Sequence, residues 1–90
     1  MPEKLERHQV GRVLLGRALR ARRTELGLSI TELSFRTSLS AYSLSSYEQG
    51  RRLPPLEALD LVAAAMDTNV RDLLRDVWPW DGVEEPPPAG

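Results

Sequence analysis

The sequence has 90 residues, no cysteine and a single histidine, which argues against a disulfide framework and against a zinc site built from cysteine and histidine. Its size suits one domain with a modest core, and its apolar runs fall short of the roughly 20 residues that cross a bilayer. The N-terminal residues lack the apolar centre of a signal peptide, so we expect a cytoplasmic protein with no cofactor, no metal and no membrane partner.

Charge is divided unevenly along the chain, although the formal net charge is only −1. Residues 1–53 carry ten basic and five acidic side chains, whereas residues 54–90 carry two basic and eight acidic ones. A basic first half of this kind indicates a polyanionic partner. Arginine supplies eleven of the twelve basic side chains, which favours paired contacts with phosphate, although a GC-rich genome would enrich arginine as well.

The first predicted helix runs from about Leu5 to Leu26 and ends at Gly27, because glycine readily adopts the left-handed conformation that closes a helix. One face is marked at helical spacing by Leu15, Ala18 or Leu19, Arg22 and Leu26. A second apolar group consists of Val10, Val13 and Leu14. This group is expected to pack either on the C-terminal segment or on another subunit. The arginines of the helix suit either a solvated face or additional phosphate contacts.

Two short predicted helices follow, over residues 29–37 and 41–48. Ser29 is the expected N-cap of the first, and Glu32 three residues later completes a capping box. Ser40 is the expected N-cap of the second, and Gly50 supplies its left-handed exit. Caps and apolar spacing together predict a helix-turn-helix over residues 28–50.

The sequence GRRLPP predicts a loop, because consecutive prolines remove backbone donors and enforce an extended chain. A fourth predicted helix begins at Leu56, and its apolar stripe consists of Leu56, Leu59, Val62, Ala63 and Met66. A short fifth helix over residues 70–77 offers Leu73 and Leu74 to the core. The domain is expected to end near residue 80, because residues 81–90 are polar and rich in proline and predict a disordered tail.

Several of these segments resemble the Cro and lambda-repressor type of helix-turn-helix domain, the xenobiotic-response-element family, over about residues 15–74. They are LRARRTELGLS, SLS at the turn, SYEQGRR, Pro54, and LEALDLVAAAM with the LL that follows it. The resemblance implies an all-α, five-helix lambda-repressor-like DNA-binding domain, here with an extended N-terminal helix. In similar proteins a dimer places the third helix of each protomer in the major groove of operator DNA.

Carried over position by position, the resemblance implies that Ala41, Tyr42 and Ser46 face the bases and that Ser43 lies beside the DNA backbone. None of the four can make the bidentate contacts that arginine makes to guanine or asparagine to adenine. Contacts to thymine methyl groups and recognition of DNA shape are expected instead. The other expected DNA-binding residues start helices or flank them: Ser29, Arg36, Ser40, Gln49, Arg51 and Arg52.

The resemblance also implies a structural ion pair between Arg23 and Glu48, which would fix the third helix against the first. The alternative is two solvated charges worth less than about 1 kcal/mol. Two positions depart from the family pattern. Ile30 stands where a DNA-contacting glutamine is common. Ser38 replaces a turn glycine, which should lower the stability by about 1 kcal/mol if the position keeps a left-handed conformation.

Trp78 and Trp80 flank a proline and are the two tryptophans of the chain. Large aromatic side chains near the end of a domain either cover its core or anchor a partner. We expect Trp78 to cover the first and fifth helices, and Trp80 to contact a second subunit or another protein.

The expected function is sequence-specific binding of double-stranded DNA by a transcriptional regulator. It would act as a repressor and as a homodimer on a pseudo-palindromic operator, and would be nucleoid-associated when bound. The alternative is a protein-interaction module on the same fold, either an antitoxin or an adaptor that holds another regulator. A nonspecific nucleoid-type binder is a third reading. The sequence contains no nucleophile with a neighbouring base and no phosphate-binding glycine loop, so an enzyme is not expected.

Overall fold

The structure is a computed structural model that describes the backbone of residues 2–75 and the side chains of residues 9–75. Within these residues the chain forms five α-helices and no strand, which confirms the predicted all-α, five-helix fold. The helices are α1 (Pro2–Glu25), α2 (Ile30–Thr37), α3 (Ala41–Glu48), α4 (Leu56–Ala65) and α5 (Val70–Arg75). Trp78, Trp80 and the predicted disordered tail, residues 81–90, lie outside the described residues.

Serine side chains begin both helices of the motif, as the sequence predicts. The Ser29 hydroxyl accepts the backbone N–H of Glu32 at 3.0 Å, and the Glu32 carboxylate accepts the backbone N–H of Ser29 at 2.8 Å. This hydrogen bond from the Ser29 backbone is the main reason that the pKa of Glu32 is lowered. Ser40 caps α3 in the same manner through the backbone N–H of Ser43, at 3.0 Å.

The turn between α2 and α3 keeps a left-handed residue without glycine. Ser38 has φ 64° and ψ 14°, and its backbone N–H donates to the carbonyl of Ser34 at 2.8 Å. Thr37 stabilises the turn as well, because its hydroxyl donates to Leu33 and accepts the backbone N–H of Leu39. Side-chain hydrogen bonds therefore support a backbone conformation that serine alone disfavours.

The core lies where all five helices meet. α1 packs on α3 and α5, α2 packs on α3 and α4, and α4 packs on α5. The buried apolar side chains are Leu15, Leu19, Leu28, Leu33, Leu44, Tyr47, Ala58, Leu59, Val62, Ala63, Met66 and Leu73. No helix within residues 2–75 is both long enough and apolar enough to cross a membrane.

Two positions predicted to face the core do not do so. Leu56 is 72% exposed, because it is the first residue of α4 and the buried positions of that helix begin at Ala58. Leu26 is 38% exposed, since α1 ends one residue earlier and the chain turns away there. Arg22, on the same face, binds the end of α4 through Nε to the carbonyl of Met66 at 2.9 Å.

Glycine at position 16 allows α1 and α3 to approach closely. A Cβ atom at this position would overlap the carbonyl oxygen of Glu48 and stand 2.6 Å from that of Tyr47. The backbone of α1 therefore lies directly against the C-terminal end of α3, with no side chain between them.

Candidate nucleic-acid interface

The solvent-facing side of α3 combines small, aromatic and amide side chains. Ala41 and Gln49 are exposed, and Tyr42 is 69% exposed. Leu44 and Tyr47 are buried in the opposite direction and hold the helix on the core. Ser43 is half-buried, and its backbone N–H is already used by the cap of Ser40. The exposed side of α3 thus combines small side chains with one aromatic ring and one amide, and it carries no lysine or arginine.

Ser46 does not belong to this exposed side, so its predicted contact with the bases is wrong. Its side chain is only 2% exposed, because this side of α3 is covered within the domain. Ser45, which sequence reasoning missed, is half-buried and stands one turn after Ala41 and one turn before Gln49. Ser45, and not Ser46, is therefore the serine that lies on the exposed side of α3 with Ala41 and Gln49.

A bidentate ion pair fixes α3 against α1. Nε of Arg23 lies 2.7 Å from Oε2 of Glu48, and Nη2 lies 2.9 Å from Oε1. The side chains are 12% and 9% exposed. Nη1 of Arg23 also donates to the carbonyl of Leu28 at 2.7 Å, and the hydrogen bond to Glu48 raises the pKa of Arg23. One guanidinium thus joins α1, the entry to α2 and the end of α3.

Two arginines follow α3 closely, after Gln49 and Gly50. Arg51 and Arg52 are exposed, and neither forms a salt bridge with a carboxylate of residues 9–75. The guanidinium of Arg52 lies over the ring of Tyr47, at 5.5 Å from its centroid, a geometry worth about 0.5–1 kcal/mol. Tyr47 is itself part of the core, so this contact holds Arg52 close to the end of α3.

The starts of α2 and α3 differ in how well they suit a phosphate. The hydroxyls of Ser29 and Ser40 accept a backbone N–H, and each retains its own O–H as a donor. The first turn of α2 also contains the carboxylate of Glu32, whereas the first turn of α3 has no acidic residue. The start of α3 is therefore the better anion site of the two.

Arg36 and Ile30 define the edges of the candidate surface. Nη1 of Arg36 lies 3.4 Å from the carbonyl of Ala65, so this side chain is engaged with the end of α4 rather than free beside α3. Ile30 is half-buried and packs on the core. It lines a shallow depression with Arg20, Arg23, Ser45, Glu48 and Gln49.

The apolar group near the middle of α1, which consists of Val10, Val13 and Leu14, is partly used inside the domain. Leu14 packs against the core, and Val13 lies against Gly50, whereas Val10 is 39% exposed. Val10 is therefore the member of this group most available to a second subunit. Within residues 9–75, no three acidic or histidine side chains converge where they could hold a metal ion.

Comparison with known proteins agrees with the arrangement of the helices. A family model described as a helix-turn-helix domain matches residues 14–77. A crystal structure of the clp gene regulator ClgR from Corynebacterium glutamicum is 34% identical, with a TM-score of 0.71 over 74% of this chain and 86% of that one.

A second crystal structure of ClgR from the same organism is also 34% identical, with a TM-score of 0.72 over 74% of this chain and 71% of that one. None of the curated proteins searched gives a significant match. The matched segment contains all of α2, α3, α4 and α5 and the part of α1 that contacts α3. The chain therefore belongs to the helix-turn-helix domain family, of the Cro and lambda-repressor type.

Proposed function

We propose that the protein is a transcriptional regulator that binds double-stranded DNA and inserts α3 into the major groove. One observation carries this proposal: the exposed side of α3 is followed closely by two exposed arginines without a carboxylate partner among residues 9–75. The similarity to ClgR, which is described as a gene regulator, supports the same function. DNA backbone binding is the chemistry that such arginines serve best.

We propose that the protein binds a pseudo-palindromic operator as a homodimer, and the small size of the exposed surface supports this. A single short helix contacts few base pairs, and two copies double the sequence that is read. In dimers of this type the half-sites lie about one helical turn, roughly 34 Å, apart. Occlusion of a promoter would make the protein a repressor, acting in the cytoplasm on nucleoid DNA.

Sequence readout is proposed to depend on apolar contact and DNA shape. Ala41 and Tyr42 can touch thymine methyl groups, and Gln49 can offer an amide to adenine if it reaches the groove. Ser45 replaces Ser46 as the neighbouring hydroxyl. With few bidentate readers, discrimination between sites is expected to draw on groove width and deformability as well.

The proposal is tested by changing Arg51 and Arg52 to alanine and measuring affinity over a range of salt concentrations. The loss of two phosphate contacts should lower the slope of log affinity against log salt by about 1.8 and should weaken binding to all DNA sequences alike. The double change of Arg71 and Arg75 on α5 to alanine alters net charge equally and should keep the wild-type slope. An unchanged slope in the first variant would remove Arg51 and Arg52 from the DNA surface.

A protein-interaction module on the same fold is the second candidate, and the exposure of α2 favours it. Phe35 is 83% exposed on this helix, more than any other large apolar side chain of residues 9–75. The two functions separate when the purified protein is offered genomic fragments in excess competitor DNA. Enrichment of defined fragments supports a sequence-specific regulator, whereas uniform recovery supports the second candidate or a nonspecific binder.

A further inference from the structure

The middle of α1 lies against the turn that follows α3. Nε of Arg12 donates to the carbonyl of Gly50 at 3.3 Å, across 38 residues of sequence. A Cβ atom at Gly50 would stand 3.0 Å from the Cα atom of Val13, so the two backbones nearly touch. Because Gly50 has φ 75°, its conformation and its contact both disfavour a larger residue. This contact places Arg12 beside the two arginines that follow Gly50.

Arg51 and Arg52 directly follow Gly50, and Arg12 is hydrogen-bonded to it, so three arginines meet at one turn. We call Arg12, Arg51 and Arg52 the arginine cluster. Arg12 is half-buried and uses one N–H for Gly50, while Arg51 and Arg52 are exposed. A guanidinium has five N–H donors, so the outer edge of Arg12 retains its capacity to bind an oxyanion. The fixed Nε means that little side-chain entropy is lost when this edge binds.

No carboxylate of residues 9–75 forms a salt bridge with the cluster. Glu48 is the acidic residue nearest in sequence to Arg51, and both of its carboxylate oxygens are bound by Arg23. Glu25 pairs with Arg22, and Asp72 pairs with Arg75, away from this turn. Positive charges that have no carboxylate partner at one turn favour the binding of a polyanion there.

We propose that Arg12 is a third phosphate-binding side chain, which extends the DNA-binding surface from the turn after α3 onto α1. The proposal rests on the DNA-binding function proposed above and adds a contact that the helix-turn-helix itself does not provide. Arg12 precedes residue 14, where the match to the family model begins. The phosphate that it binds is expected to neighbour those bound by Arg51 and Arg52, because one turn positions all three side chains.

Two substitutions separate phosphate binding from support of the turn. Arg12→Gln removes the charge but can still donate to Gly50, whereas Arg12→Lys keeps the charge and loses the planar guanidinium. If Arg12 binds phosphate, the first variant lowers the slope of log affinity against log salt by about 0.9, and the second keeps most of the slope. Arg17→Gln is the matched control, since Arg17 is exposed on the same helix but lines the groove toward α5, and it should keep the wild-type slope.

Ethylation interference on a bound DNA fragment supplies a second measurement. Ethylation should interfere with wild-type binding at one more phosphate than it does with binding of the Arg12→Gln variant. Thermal unfolding of each variant shows whether the fold is intact. A wild-type slope in Arg12→Gln, or equal losses of affinity in both Arg12 variants without a change of slope, would overturn the proposal and leave Arg12 as a support of the turn.

Failure of the proposed DNA-binding function and failure of the Arg12 contact give different results. If the wild-type protein shows no salt-dependent affinity for any DNA, both proposals are wrong, and the variants are not needed to show it. If the wild type binds and the Arg51 and Arg52 variant flattens the salt dependence while Arg12→Gln does not, only the contact from Arg12 is lost.

Discussion

The ion pair of Arg23 and Glu48 is the residue-scale feature on which the position of α3 depends most. Its two hydrogen bonds are short, and both side chains are largely withdrawn from water. Glu48→Gln leaves the Arg23 charge without a full counter-charge, so we expect the free energy of unfolding to fall by about 2–3 kcal/mol in urea denaturation.

The exposed pair of Arg22 and Glu25 is the control for that substitution. These two side chains are 30% and 68% exposed and lie three residues apart on α1. Glu25→Gln should therefore lower the free energy of unfolding by less than about 1 kcal/mol. Equal losses in both variants would mean that the Arg23 and Glu48 pair contributes no more than a surface contact.

The capping box at the start of α2 predicts a pH dependence of stability. The pKa of Glu32 is lowered from its ordinary value of 4.5, mainly by the backbone hydrogen bond from Ser29. A lowered pKa in the folded state stabilises the protein above pH 4.5, and this contribution is lost as the pH falls through the lowered pKa.

Chemical denaturation between neutral and acidic pH checks this expectation. Glu32→Gln should lose less stability than the wild type as the solution is acidified, because the titrating carboxylate is gone. Glu57→Gln changes the same charge in the first turn of α4, which has no side-chain cap, and should follow the wild-type curve closely. A wild-type curve in the Glu32 variant would contradict the prediction.

The exchange of Ser46 for Ser45 shows where residue-level prediction from the sequence ends. At about 100° per residue, both serines lie about 130° from the middle of the face formed by Leu44 and Tyr47. The helical period therefore does not distinguish them. Which of the two is buried depends on how neighbouring elements cover α3, and a single sequence does not contain that information.

At the scale of elements, Ser38 is a left-handed residue where glycine would be easier to accommodate. Ser38→Gly should raise the free energy of unfolding by about 0.5–1 kcal/mol, because the strain of φ 64° outweighs the extra entropy of the unfolded chain. The expected result is a higher melting temperature with unchanged helix content.

Gly27 provides the reciprocal experiment. It ends α1 with φ 72°, and a Cβ atom there would meet no other atom within 4 Å. Gly27→Ala should thus cost about 1 kcal/mol through backbone strain alone. If Ser38→Gly is neutral while Gly27→Ala destabilises, the hydrogen bonds of Thr37 and Leu39 already offset the strain at Ser38.

The bounds of the helices could be predicted well wherever a cap marks them. Serine and glycine positions predicted α2 within one residue and gave the bounds of α3 as observed. The start of α4 at Leu56 was also predicted as observed, although this helix has no side-chain cap, whereas α1 begins at Pro2 and not near Leu5. Burial was harder to predict than these bounds. Leu56 continues the apolar period of α4 but lies on its first turn, beyond the neighbouring helices, so periodicity alone assigned it to the core.

For the whole molecule, the division of charge predicts an effect that acts over distance. Residues 81–90 contain Asp81, Glu84 and Glu85 and no basic residue. Neutralising the three carboxylates with amides changes the net charge from −1 to +2. Because the DNA field repels acidic groups, we expect faster association at low salt, with the difference shrinking as the Debye length falls to about 8 Å at physiological ionic strength.

Stopped-flow association at several salt concentrations measures this effect. Asp60→Asn together with Glu57→Gln is a control of similar chemistry on α4, and it tests whether the position of the negative charge matters. A rate gain that persists unchanged at high salt would show that the C-terminal acids act by local contact rather than through the long-range field.

The contact of α1 with the turn after α3 marks the limit of prediction for the molecule as a whole. The family pattern supplied the order of the helices and the pair of Arg23 and Glu48. The hydrogen bond from Arg12 to Gly50 joins residues 38 apart and depends on the angle at which two helices cross. Helical periodicity describes one helix at a time, and the interpretation of the α1 arginines therefore remained open.

The absence of a side chain at Gly16 has a mechanical consequence for any signal that reaches this protein. Since the backbone of α1 rests on the last carbonyl groups of α3, with no side chain between them, a movement of one helix is transmitted directly to the other. An effector or partner that tilts α1 is therefore expected to tilt α3 with it. In the homodimer proposed above, control by altering the distance between the two pairs of α1 and α3 is then mechanically easier than control by reshaping either pair.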